Sequence, residues 1–360
     1  MDKQLLELYS DYLMSSFSYT TATGLSMLVG GEISHDKVTR FLSEEDFTSS
    51  KLWEIVKPSV REIESDEGVL LFDDTIEEKP STDENDIVSW HYDHSKGRSV
   101  KGINIISALY YSKGVRAPIA FDLVRKTKTV IDKKTGKEKR VSEKTKNEQY
   151  RQMLKVCIKN NIKFKYVLND VWFASNENMM YVKKEKGKDF VMPIKTNRKI
   201  ALSKKDKLNG KYVTVSEFEL KEGTTYKIYL EAVEFPLLLI KQIFRNDDGS
   251  EGILYLVSSD LTLTYDNIIT IYQKRWKVEE YHKSLKSGNC RISLCKSPTK
   301  RVRTQNNHIF ASIYAFFKIE FLSIKAKVNQ TALRSKIYIS ANRAAFEELE
   351  NMKACFAMKF

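Results

Sequence analysis

Asp73 and Asp74 close the apolar run VLLF, and Asp170 closes KYVLN. A carboxylate at the end of a buried strand sits at the rim of a sheet, where α/β proteins place their sites. Taken singly, each of these acids reads better as an Asp that opens a turn; a third acid changes that balance. Glu279 supplies it, in IYQKRWKVEEYHKSLKSG. At about 100° per residue, Tyr272, Arg275, Glu279 and Lys286 fall at roughly 0°, 300°, 340° and 320°, a strip about 60° wide. Ile271, Val278, Tyr281 and Leu285 fall near 180–260° and make the packing face. On helical geometry alone the polar strip is a solvated face with spaced ion pairs. Tyr, Arg and Lys around one acid are also what a site gripping nucleic-acid phosphates beside a metal requires.

These residues need a sheet and a helix to hold them. VLLFDD (69–74), INIISALYY (103–111) and APIAFDLV (117–124) predict three consecutive strands in an antiparallel meander. FKYVLND (164–170) and DFVMPIK (189–195) predict two more, after a helix over EQYRQMLKVCIKNNI (148–162). Residues from about 199 to 252 alternate in β fashion, with a turn at 247–249. ILYLVSSD (253–260) returns to the core, and one long helix is expected from about Tyr265 to Ser287. Strands first, then strand–helix alternation, indicate an α/β fold with a mixed sheet and helices packed on it.

Ahead of the sheet, residues 1 to about 65 read as helical. Gly30-Gly31 interrupts the pattern, Ser34 offers an N-cap for HDKVTRFL, and Pro58 is expected to bend or break SSKLWEIVKPSVREI. Such short helices suit a DNA-binding head or any small helical cap. The Lys-rich stretch 127–148 reads as a solvated hairpin or loop, or as a phosphate-contacting arm. A helix over 303–325 carries Phe310, Ile313, Phe317, Phe321 and Ile324 at core spacing. The last residues, from about 326, are mixed helical.

Sixty Lys and Arg against 47 Asp and Glu leave a formal charge of +13 on 360 residues. That excess calls for a polyanion or a membrane surface. No apolar run approaches the roughly 18 residues of a spanning helix, and the amino terminus does not read as a secretory signal. Cys157, Cys290, Cys295 and Cys355 lack Cys-x-x-Cys spacing and read as reduced thiols of a cytosolic protein. Nucleic acid is the partner that remains.

The pattern Tyr-x2-Arg-x3-Glu-x6-Lys at 272–286 resembles the Tyr-Arg-Glu-Lys signature of bacterial insertion-sequence DDE transposases. LLFDDT resembles that family's first-aspartate strand and YVLNDVWFAS its second, so the resemblance spans about residues 67 to 290. It implies a ribonuclease H-like catalytic domain over 67–325, with a β-rich insertion at about 199–252. The flanks are an N-terminal helical, DNA-binding domain (1–66) and a C-terminal helical segment (326–360). It also implies that Asp73, Asp170 and Glu279 bind two Mg²⁺ ions, for which Mn²⁺ can substitute. Arg275 and Lys286 would hold phosphates, and Tyr272 would donate a hydrogen bond to one. The spacing to Lys79 in DDTIEEK resembles a transposase subgroup in which the first acid of the pair is catalytic, which implies Asp73, with Asp74 as the alternative.

The implied activity is cleavage at transposon ends and transfer of the freed 3′-hydroxyl to target DNA. Its partners would be the double-stranded terminal inverted repeats and target DNA, bound by a homodimer in the bacterial cytoplasm, nucleoid-associated when on DNA. Two other readings use the same residues: a ribonuclease H-like repair or resolvase nuclease, and a captured transposase that only binds DNA. His282, at the edge of the strip, is a further DNA-contact candidate, against a default of a surface His. Trp90-His91-Tyr92-Asp93-His94 has no second ligand pair for zinc and reads as a loop near the DNA.

Overall fold

The structure, a computed structural model, describes residues 1–16, 19–133, 136–245, 248–286, 297 and 299–357. Cys290 and Cys295 lie outside them. The chain divides into two compact units, Met1–Thr48 with Tyr281–Phe360, and Ser49–Glu280.

The first unit is helical. It begins with α1 (Lys3–Ser15), α2 (Ala22–Leu28) and α3 (His35–Ser43). Ser34 caps α3 as its residue type and position predict, its side chain accepting from the Lys37 N–H. The expected separate head, residues 1–66, is divided differently: these three helices belong with the C-terminal helices. The reason lies in buried polar contacts across the sequence. Asn307 accepts from the Phe47 N–H (2.8 Å) and donates to the carbonyls of Leu42 and Glu45. Tyr9 meets His308 at 3.0 Å inside the same core. A buried amide that satisfies three backbone groups ties distant segments firmly, because each group left unpaired would cost about 1–3 kcal/mol.

The second unit opens with α4 (Ser49–Ile63), which runs through Pro58 without a break. It then builds an 11-stranded sheet. β1 (Val69–Glu78), β2 (Val88–Asp93), β3 (Arg98–Ser112) and β4 (Val115–Leu123) are antiparallel, with β3 pairing all three others. WHYDH is therefore mostly strand β2 rather than a loop. His91 is buried there, with Nε2 3.0 Å from the Ser89 hydroxyl. The Lys-rich stretch forms an exposed two-stranded hairpin, β5 (Lys128–Ile131) with β6 (Glu138–Val141).

Next comes α5 (Lys146–Lys159), started by a Thr145–Glu148 capping box. β7 (Tyr166–Asn169) lies parallel to β1, and β8 (Asp189–Ile194) parallel to β7. Between them α6 (Asn176–Met180) runs into a π-turn. The order β4-β3-β1-β7-β8, antiparallel on one side of β1 and parallel on the other, is the ribonuclease H-like arrangement.

After β8 come β9 (Lys199–Ala201), α7 (Lys204–Leu208), β10 (Val213–Thr214), β11 (Tyr226–Leu230) and β12 (Leu237–Arg245), in the region of the expected insertion, and then β13 (Glu251–Ser258). β13 pairs antiparallel with β8, so the insertion extends the same sheet.

The expected single helix after the sheet is two: α8 (Tyr265–Gln273) and α9 (Trp276–Lys286). Between them the N–H groups of Lys274, Arg275, Lys277 and Val278 bond three residues back rather than four. This is a 3₁₀-like tightening that separates the two helices. In the first unit α10 (Val302–Lys325) and α11 (Gln330–Ala357) follow. Phe310, Ile313 and Phe317 of α10 are core, while Ile324 stays 44% exposed. Among the described residues no helix is long and apolar enough to cross a membrane.

Candidate active site

Strand pairing brings the first two acids together. Val69–Phe72 of β1 run in parallel register with Tyr166–Asn169 of β7, so Asp73 and Asp170 are the next residues along neighbouring strands. Leu70, Leu71 and Phe72, with Val167 and Leu168, are wholly buried. They fix both strands, each large side chain contributing roughly 2 kcal/mol. Asp170 then leaves the strand. Its Oδ1 accepts from the N–H groups of Trp172 (3.0 Å) and Phe173 (3.3 Å), which holds the carboxylate at the mouth of a tight turn.

Adjacent acids on β1 face opposite ways, and their partners differ accordingly. Asp74 Oδ2 accepts from Lys146 Nζ at 2.6 Å and from Asn104 Nδ2 at 2.8 Å. Asp73 instead meets Arg275, with Nη1 3.6 Å from Asp73 Oδ2. The same guanidinium donates to Glu279 Oε1. Tyr272 donates to the Asn169 carbonyl at 3.4 Å, closing α8 onto the end of β7.

The break in the helix decides this arrangement. Tyr272 lies on α8, Arg275 in the tightened turn and Glu279 in the first turn of α9, so the three do not share one straight strip. Arg275 nevertheless links Asp73 to Glu279, and Tyr272 reaches the Asn169 carbonyl beside Asp170. Lys286 and His282 lie on the part of α9 that belongs to the helical unit. Lys286 is half-buried, and His282 is buried at 7% exposure, in place of the expected surface histidine.

The electrostatics show a surplus of negative charge. Burial, then repulsion from Asp170 and Asp74, pushes the Asp73 carboxyl well above the usual carboxylate range, with Arg275 opposing. Burial and the Asp74 charge push Asp170 up to about 6, against the hydrogen bonds from Phe173 and Trp172 and the charge of Arg275. Burial also raises the Tyr272 hydroxyl, which stays protonated and remains a donor. Burial works against the charge on Arg275, but Asp73 and Glu279 outweigh it and hold the guanidinium more firmly charged.

A cation therefore has a place among these carboxylates on charge grounds, and their hard oxygens suit Mg²⁺. As they stand, no three His, Cys, Asp or Glu among the described residues are gathered closely enough to hold a metal ion. Arg275, bridging Asp73 and Glu279, supplies part of the missing positive charge.

Sequence reasoning missed Lys146, Asn104 and Asn169. Lys146 is the first residue of α5, directly after the N-cap Thr145, but nothing in its surroundings pointed to Asp74.

No curated protein matches the chain. The family described as DDE superfamily endonuclease matches residues 2–210, a span that includes Asp73, Asp74 and Asp170 and ends before Glu279. With a ribonuclease H-like sheet that sets Asp73, midway along β1, beside Asp170 at the end of β7, the chain belongs to the DDE superfamily endonucleases.

Proposed function

We propose that the chain is a DNA transposase of the insertion-sequence kind, which cleaves at transposon ends and joins the freed 3′-hydroxyl to target DNA. The observation that carries this reading is the placing of Asp73 beside Asp170 on neighbouring strands, with Arg275 joining Asp73 to Glu279, in a DDE superfamily endonuclease. A +13 chain suits a polyanionic substrate, and phosphate contacts make its binding salt-dependent.

Asp73, Asp170 and Glu279 would hold two Mg²⁺ ions, or Mn²⁺ in their place. When bound, such ions activate the attacking oxygen and stabilise the leaving one in an in-line displacement. The chain's own groups then have distinct tasks. Arg275, once shared with DNA, places a planar cation on a phosphate beside the carboxylates. Tyr272, protonated at neutral pH, donates to the same backbone. Lys286 extends the cationic contact along the strand, and His282 is a weaker candidate because of its burial. Lys146 and Asn104 keep Asp74 out of the ligand set.

On this reading the working form is a homodimer on double-stranded DNA in the bacterial cytoplasm, gathered at the nucleoid while bound. The helices of the first unit are the candidate readers of terminal repeats.

The test uses labelled DNA carrying the element's own ends, with Mg²⁺, with EDTA, and with Asp170→Asn and Glu279→Gln in parallel. Mg²⁺-dependent cleavage at the ends, lost in both variants, is the expected result. Cleavage governed by DNA structure, without joining of ends, would favour a repair or resolvase nuclease. Specific end binding without cleavage would favour a captured DNA-binding protein.

A further inference from the structure

Beside Asp170 stands a group of aromatic side chains that the phosphodiester chemistry does not use. Tyr92, at the end of β2, is 53% exposed, and Trp172, two residues after Asp170, is 47% exposed. His94, in the turn after β2, lies between them. Its ring centre is 4.7 Å from that of Tyr92, edge-on, and 4.2 Å from that of Trp172, stacked at 26°. Lys195, just past β8, brings its ammonium 4.4 Å from the centre of the Trp172 ring.

Core packing does not explain this cluster, because its rings keep about half their surface in water. Four side chains from three separate segments form one aromatic cluster, with His94 stacked on the indole of Trp172 and the Lys195 cation lying over that ring. Its position is fixed by the active site: the Trp172 N–H donates to Asp170 Oδ1, so the platform and the carboxylate share one turn.

We propose that Tyr92, His94 and Trp172, with Lys195, form a stacking platform for an unpaired nucleobase of the DNA strand held at Asp170. The proposal rests on the DNA-processing reading above. Every base has a π face, so such a platform takes bases without strong sequence preference, as other single-strand binding surfaces do. A base stacked on an indole outweighs an exposed cation–π contact. The incoming base displaces Lys195 from the ring, and the freed ammonium pairs with a neighbouring phosphate. Paired bases remain in their own stack, so the platform selects a frayed end, a single-stranded extension or a nucleotide turned out of the duplex.

The experiment compares two short duplexes, one blunt and one with a single-stranded extension carrying 2-aminopurine. Binding and 2-aminopurine fluorescence are measured in EDTA, so that no cleavage is needed. Wild type is expected to bind the extended duplex about tenfold more tightly than the blunt one and to quench the probe. Trp172→Ala loses both the preference and the quenching, while Trp172→Phe keeps most of each.

A Trp172→Ala protein that prefers and quenches like wild type overturns the platform. Equal loss in the Ala and Phe variants points to damage at the Asp170 turn rather than to stacking, and also overturns it. Wild type that binds both duplexes equally overturns the platform and leaves the DNA-processing reading standing. Wild type that binds neither takes both down.

Discussion

Asp73 and Asp74 are consecutive residues of one strand, yet the two faces of β1 treat them in opposite ways. On one face Asp74 is matched: a lysine and an asparagine supply one charge and two hydrogen bonds to a single carboxylate oxygen. On the other face Asp73 shares one guanidinium with Glu279 and is repelled by Asp170. The first arrangement is a completed ion pair. The second is short of positive charge, which a stable fold tolerates where a ligand completes it.

Activity offers the largest contrast between the faces. Asp73→Asn, Asp170→Asn and Glu279→Gln are each expected to lower end cleavage by about a thousandfold or more, as loss of a central catalytic group does. Asp74→Asn is expected to keep measurable turnover in the same gel assay. Equal loss from Asp74→Asn would erase the distinction.

A smaller contrast is expected in the metal-free stability of the fold. In the folded chain Asp170 keeps its proton up to about pH 6, whereas unfolded it releases it near 3.8. Between those values the folded state binds more protons at Asp170, so the contribution of this group to stability falls as pH rises, and the raised Asp73 carboxyl adds to the fall. Thermal melts in EDTA from pH 4 to 7 should show that decline, and Asp170→Asn should flatten it. An Asp170→Asn profile that follows wild type at every pH would contradict the strained pair.

The matched face should respond in the opposite sense. Lys146→Met removes the cation from Asp74 and is expected to destabilise the fold by about 1 kcal/mol, modest because the lysine is 40% exposed. In melts at pH 7 that lowers the transition by about 2–4 °C. Asp73→Asn, which relieves repulsion, should raise it by a similar amount.

Much of this site was legible in the sequence because it depends on local pattern. Apolar runs followed by acids pointed to Asp73 or Asp74 and to Asp170, whereas Glu279 rested on the resemblance to a family signature, because helical geometry alone reads its strip as a solvated face. The break between α8 and α9 was not legible. No Gly or Pro marks it, and the tightening is expressed only in hydrogen bonds made three residues back. The grouping of residues 1–48 with the C-terminal helices was equally hidden. It rests on single side chains such as Asn307 that reach across some 260 residues, which periodicity does not register. His91 was misplaced for a related reason: WHYDH looks polar enough for a loop, but its pairing with β3 makes it strand.

Direct titration of Mn²⁺ into the DNA-free protein, followed by electron paramagnetic resonance, tests the difference between the two faces of β1 most directly. Wild type and Asp74→Asn are expected to bind the ion, while Asp73→Asn and Asp170→Asn bind it at least about tenfold more weakly. Undiminished binding in Asp73→Asn, with loss in Asp74→Asn, would contradict the account and transfer the ligand role to the other face of the strand.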